Sequence, residues 1–306
     1  TVEGANILTR YLMIFGQGSM RCHPYLLDEI SALNKDDEEK GKEEFYSIFF
    51  SHVGDTFKNS LSSFMNGITL DVFSAVPKNT PFKKEMKKIN HLSQALSSIS
   101  DITLLKLGGK LKYKEYLSSR LGDILSYLFM SVSVIYNTTN TNSESEVALS
   151  KWCLKYLLNK AEKSFNDFCN NFNKTGSFMS FYNYPIGKRL KAPSISESRE
   201  LVNSVIFNPD FRESLVKESF FEGKNNPLLP FEKAYRKHIE LSDVLKNVED
   251  YSRKAKGVKE KTKDLSFEQK LSFYKKDGVI DDSDYESMLE LKKLIDSVIE
   301  VDKFKK

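Results

Sequence analysis

The chain has 306 residues, with 46 Lys and Arg against 42 Asp and Glu, a net charge of only +4. Acids and bases are interleaved rather than gathered with aromatic residues into a patch, which excludes a nucleic-acid binder. A hydrophobic share of 40% is enough to bury a sizeable core, whereas 8 prolines and 14 glycines are few breakers for such a length and favour helices over sheets. The three cysteines, Cys22, Cys153 and Cys169, are odd in number and lack metal-ligand spacing, so neither a disulfide framework nor a metal is expected. A cytoplasmic setting follows, with association with the inner membrane left open. The apolar run Leu125 to Tyr136 is too short to span a bilayer.

In chain order, residues 6–15 (NILTRYLMIF) read as a short helix closed by Gly16, and Pro24 opens a second that ends near Leu33. The run KDDEEKGKEE, Lys35 to Glu44, reads as a polar surface connection. Long helices are expected from about Glu44 to Asn66, Pro81 to Leu107 and Lys114 to Tyr136. The third carries Leu117, Leu121, Ile124, Leu125, Leu128, Val132 and Ile135 in steps of three and four, one continuous apolar stripe. A fourth follows the polar loop NTTNTNSES, with Leu154, Leu157, Leu158, Ala161, Phe165, Phe168, Cys169 and Phe172 in the same steps. Four amphipathic helices with short links imply an antiparallel bundle. Residues 174–194 read as irregular, 196–207 and 230–254 as helical, and the end of the chain as helix, turn, helix, with Asp282 or Ser283 as the cap of the last helix.

The first ten residues carry the sharpest chemical signal. In VEGANILTR, Val2 to Arg10, a glutamate is followed by glycine, by the start of a helix and by an arginine seven residues on. This resembles the catalytic-glutamate segment of acyl-CoA dehydrogenases. MIFGQGSMRCHPY (Met13 to Tyr25), LGGKLKYKEYLSSRLGDILSYL (Leu107 to Leu128), YPIGKRLKAPS (Tyr184 to Ser194) and KDGVIDDSDYESM (Lys276 to Met288) are similar, in the same order, to blocks of the FadE-type, long-chain bacterial branch. The resemblance covers nearly the whole chain and is less distinctive over residues 35–90 and 209–265. Because the chain opens on Thr inside a motif, a further N-terminal portion is expected to precede it.

The resemblance implies an all-α fold: residues 1–33 as the end of the dehydrogenase C-terminal helical bundle, and residues 34–306 as an additional multi-helix domain. It implies oxidation of a fatty acyl-CoA to the trans-2-enoyl-CoA in β-oxidation, with FAD, held mainly by the preceding portion, as cofactor. Glu3 is then the base that takes the α-proton, with its backbone N–H helping to hold the thioester oxygen. Gly4 lets substrate approach the backbone, and Ala5, Asn6 and Ile7 lie along the flavin. Val2 stands where an aromatic is usual and Ala5 where a threonine is usual, so position 5 offers the flavin no hydroxyl. The implied partners are the acyl-CoA, an electron acceptor such as an electron-transfer flavoprotein, and a second subunit in a homodimer. This chain by itself is expected to be inactive.

Other residues read more simply. His23, His52, His91 and His238 are scattered, without ligand spacing, and read as surface or packing histidines. Gly16 and Gly18 read as a helix break, because no strand precedes them and no Lys-Ser/Thr follows. Arg10 reads as a helix salt bridge or as a cofactor or subunit contact. Arg120 and Asp123, three apart on one helix, are expected to pair. Cys153 and Cys169 read as small core residues. Phe45, Phe49, Phe50, Phe57 and Phe64 read as core or, alternatively, as a membrane-facing stripe. The basic run Arg253 to Lys263 reads as a solvated linker or a contact for anionic lipid or CoA phosphates. The rival reading of the whole chain is a non-catalytic helical module for dimerisation or membrane docking.

Overall fold

The computed structural model describes residues 2–9, 13, 17–139, 141, 143–187, 190–221, 226, 228–255 and 257–299. Among these every regular element is helical and no strand occurs, as an all-α fold requires. The chain divides into two compact units, Thr1–Val202 and Asn203–Lys306. Within the first unit, α3 (Leu26–Leu33) packs on α4 (Glu38–Thr69).

In the first unit, α1 (Val2–Ile7), α2 (Gly18–Cys22) and α3 lead into α4, α5 (Lys83–Leu107), α6 (Glu115–Thr138), α7 (Glu144–Asn171), α8 (Asn173–Asn183) and the part of α9 (Ile195–Ile206) up to Val202. The Lys35 to Glu44 stretch is not all connection, because α4 begins at Glu38. The Asp37 carboxylate accepts the Lys40 N–H at 3.2 Å, and Glu38 and Glu39 sit where the helix dipole favours negative charge. Ser143 starts α7 in the same manner, accepting from the Glu146 N–H at 3.3 Å. Gly108 ends α5 at a positive φ of 48°. Residues 174–183, expected to be irregular, belong to α8. Asn173, at φ 62°, turns the chain out of α7, and Gly176 lets α8 pass the α7 backbone, where a Cβ would lie 1.8 Å from the Cys169 carbonyl oxygen.

The expected stripes close the core. Leu117, Leu121, Ile124 and Leu128 of α6 meet Leu154, Leu158, Ala161, Phe165, Phe168 and Cys169 of α7 and Leu92, Ala95 and Ile99 of α5, all buried. Full burial of each larger side chain contributes roughly 1.5–3 kcal/mol. Leu125 and Val132 end up half exposed at the edge of the α6 stripe. Thr138, ending α6, bonds Ser150, near the start of α7, at 2.7 Å, so the two helices run antiparallel. Arg120 and Asp123 pair at 2.9 Å as expected. Cys169 is buried and its thiol is pushed up to about 12 by desolvation, whereas Cys153 is only partly buried.

Helix α4 departs from the expectation for its phenylalanines. It is tied to α5 through polar pairs: Thr56 with Asp101 at 2.7 Å, Asn59 with Ser97 at 3.2 Å, Ser60 with Ser98 at 2.8 Å and Asn66 with Gln94 at 2.8 Å. Rising positions on α4 meet falling ones on α5, which makes the pair antiparallel. With its polar face turned inward, α4 presents Tyr46, Phe50, Val53, Phe57, Leu61, Met65 and Ile68 outward, and Phe50 and Phe57 are each 68% exposed. Phe45 and Phe64 are half buried and Phe49 is 40% exposed, so a core role fails for Phe50 and Phe57 above all.

The second unit holds α10 (Pro209–Val216), α11 (Leu228–Glu240), α12 (Ser242–Lys254), α13 (Val258–Thr262), α14 (Phe267–Lys276) and α15 (Asp282–Ile299). Its core is Leu241, Val258, Leu271, Tyr274, Ile280, Met288 and Leu291. The basic run is therefore not purely a linker, since Val258 is buried in that core. Asp281, rather than Asp282 or Ser283, caps α15: its carboxylate accepts the Asp284 N–H at 2.8 Å. Buried Glu232 receives Arg212 Nη1 at 3.0 Å and Arg236 Nε at 2.8 Å. Burial alone would raise its pKa, but the two guanidiniums reverse that and hold the carboxyl below its usual range. No helix among the described residues is long and apolar enough to cross a membrane.

Candidate functional site

Glu3 and its neighbours stand on the six-residue α1, with Glu3 in the first turn, where negative charge is favoured. Val2, Glu3, Gly4, Ala5 and Asn6 are exposed. A carboxylate becomes a base of near-neutral strength only when desolvated. Glu3 is exposed among the described residues, so in a reading of it as that base the walls of the acyl pocket come from outside this helix. A Cβ on Gly4 would meet no atom within 4 Å, so a need for glycine there would come from a bound molecule rather than from the fold. The side chain of Ile7, and all of Arg10 and Gly16, fall outside the described residues. Gly18 opens α2.

A second arrangement lies where α3, α4 and α5 meet. His23, just ahead of α3, accepts the backbone N–H groups of Tyr25 and Leu26 on Nδ1 at 3.2 and 3.3 Å. Its Nε2 must then carry the proton, which it donates to Asp101 Oδ1 of α5 at 3.0 Å. His52 of α4 bonds Glu29 of α3 through Nδ1 at 2.8 Å, while its Nε2 lies 3.8 Å from the same Asp101 oxygen. The Asp101 carboxylate is fixed from its other side by the Thr56 hydroxyl. Tyr25 stacks on the His52 ring with centroids 5.2 Å apart and donates its hydroxyl to Asp55, which raises the phenol's pKa. His23, Tyr25, His52, Asp55, Thr56 and Asp101 line a cavity of about 260 Å³ that also includes Asn59, Ser97, Ser100 and Leu104.

The other two histidines are apart from this cluster. His91 is buried, stacked on Tyr184, with Nε2 on the Asn183 carbonyl and Nδ1 on Asp71, both at 2.9 Å. His238 is exposed. Reading the four histidines as separate packing or surface residues thus fits His91 and His238 but not the His23–His52 pair. Their 29-residue separation carries no sequence signal, because only the packing of α3 and α4 on α5 brings them together.

The family described as acyl-CoA dehydrogenase, C-terminal, bacterial type, matches residues 20–304. The chain belongs to that family. The match takes in the whole His23, His52 and Asp101 cluster and both hydrophobic cores, and begins after the Glu3 segment. No solved structure matches the chain.

Proposed function

We propose that this chain is the C-terminal part of a FadE-type, long-chain acyl-CoA dehydrogenase, acting in the β-oxidation of fatty acyl-CoA to trans-2-enoyl-CoA. The carrying observation is the family match over residues 20–304, read together with the glutamate-glycine segment directly ahead of it. In this reading Glu3 takes the α-proton, and its backbone N–H shares in holding the negative charge that develops on the thioester oxygen. Gly4 leaves room for the acyl thioester against the backbone, and Ala5, Asn6 and Ile7 hold one edge of FAD. When bound, FAD supplies the acceptor for the hydride leaving the β-carbon. The exposed, uncluttered face of α1 fits that role. An electron-transfer flavoprotein is the proposed acceptor of the electrons.

The test is Glu3→Gln in the FAD-loaded protein that carries this chain. The expected outcome is acyl-CoA affinity changed by less than about tenfold and flavin bleaching by substrate slowed by at least about 10³-fold, followed in stopped flow. Bleaching at an unchanged rate would remove Glu3 as the base.

The outward apolar face of α4 favours a second reading that is compatible with the first, a helical module through which two subunits join or which docks on the inner-membrane surface. The face is poor in charge, with only Asp55 and Lys58 between Phe45 and Leu70, which favours a protein partner over an anionic lipid surface.

A further inference from the structure

We propose that His23, His52 and Asp101 form a binding site for a divalent transition-metal cation of the zinc class. One ligand atom from each residue converges, all within 4.8 Å of one another. Two imidazoles and a carboxylate are a donor set suited to such ions, which need ligands at about 2.0–2.2 Å and so only a small inward movement of the three side chains.

The surroundings are built as a second shell. Glu29 accepts from His52 Nδ1 at 2.8 Å, which leaves the ring's lone pair on Nε2, the nitrogen that faces Asp101. The Thr56 hydroxyl takes Asp101 Oδ2 at 2.7 Å and leaves Oδ1 toward the two rings. Tyr25, stacked on His52, holds the ring plane. The adjoining cavity of about 260 Å³ offers an entry path and room for a water as fourth ligand.

His23 needs one exchange. In the cation-free chain its Nε2 proton bridges to Asp101. The cation displaces that proton, Nδ1 takes one up, and the ring stays neutral with no net proton change. The N–H groups of Tyr25 and Leu26, which make long bonds of 3.2 and 3.3 Å to Nδ1, then turn to water. Binding therefore carries its own signature at the start of α3.

The experiment titrates the tag-free chain with Zn²⁺ by calorimetry and with Co²⁺ by its ligand-field absorption, with every variant checked for helical content. The expected result is one saturable equivalent and a tetrahedral Co²⁺ spectrum. His52→Gln and Asp101→Asn should each weaken binding by at least about tenfold, Glu29→Gln by about 10–100-fold, and His238→Gln not at all. Should the variants lose their fold, NMR of the wild-type chain decides. Zn²⁺ must shift the ring signals of His23 and His52 and the amides of Tyr25 and Leu26, reversibly with a chelator. Absence of a saturable equivalent, binding that survives His52→Gln together with Asp101→Asn, or shifts confined to His238 would overturn the proposal. None of these outcomes depends on Glu3, so the dehydrogenase reading stands or falls separately.

Discussion

A single carboxylate shows how local chemistry fixes a helix start. Glu197 lies in the first turn of α9, and its Oε2 accepts the Ser194 N–H at 2.6 Å while the Ser194 hydroxyl takes the Glu197 N–H at 3.2 Å. This reciprocal box is written plainly in the sequence as Ser-x-x-Glu. What the sequence does not show is Lys155 of α7, whose Nζ lies 2.6 Å from the same carboxylate. Lys155 first, and the Ser194 bonds after it, lower the Glu197 pKa from 4.5 to about 2. A lowered folded-state pKa contributes stability that is complete above the unfolded value and is lost as pH falls through the folded one. The tie between α9 and α7 should therefore loosen between pH 4.5 and about 2. Amide exchange of α9 across that window should rise in the wild-type chain and show no such step in Glu197→Gln. An identical acid profile for both would remove the ion pair from the account.

At the scale of the element, α4 inverts the usual rule. An amphipathic helix ordinarily hides its apolar stripe, yet here Thr56, Asn59, Ser60 and Asn66 face α5 and the aromatic stripe faces out. Helix periodicity identifies two faces but not which one turns inward. That choice rests on complementary partners, Ser97, Ser98, Gln94 and Asp101, whose positions on α5 nothing in α4 foretells. If the outward face joins two subunits, Phe50→Ser with Phe57→Ser should disrupt the dimer in sedimentation velocity. Because both rings are exposed, the same change should alter subunit stability by less than about 0.5 kcal/mol in urea. A double variant that sediments like the wild type would leave the face without that role.

At the scale of the whole molecule, stability rests on two hydrophobic cores, one in each unit. In the first, Phe165 is fully buried and packs near Tyr184 with ring centroids 5.2 Å apart. Phe165→Ala should cost about 3–5 kcal/mol, read from the urea midpoint of unfolding. A loss below about 1 kcal/mol would mean that the α5, α6 and α7 interface is not the packed core described.

The sequence by itself determined that the chain is helical, where its long helices run, which faces of α6 and α7 are apolar, and which family the chain resembles. These are properties of residues near one another along the chain, where a 3.6-residue period, a capping serine or a glycine acts over one or two turns. Tertiary structure alone decided the orientation of α4, the helical path of residues 173–183 and the meeting of His23 with His52 and Asp101. Each depends on groups tens of residues apart whose hydrogen bonds form only once the helices have packed, and no local periodicity records such a partner.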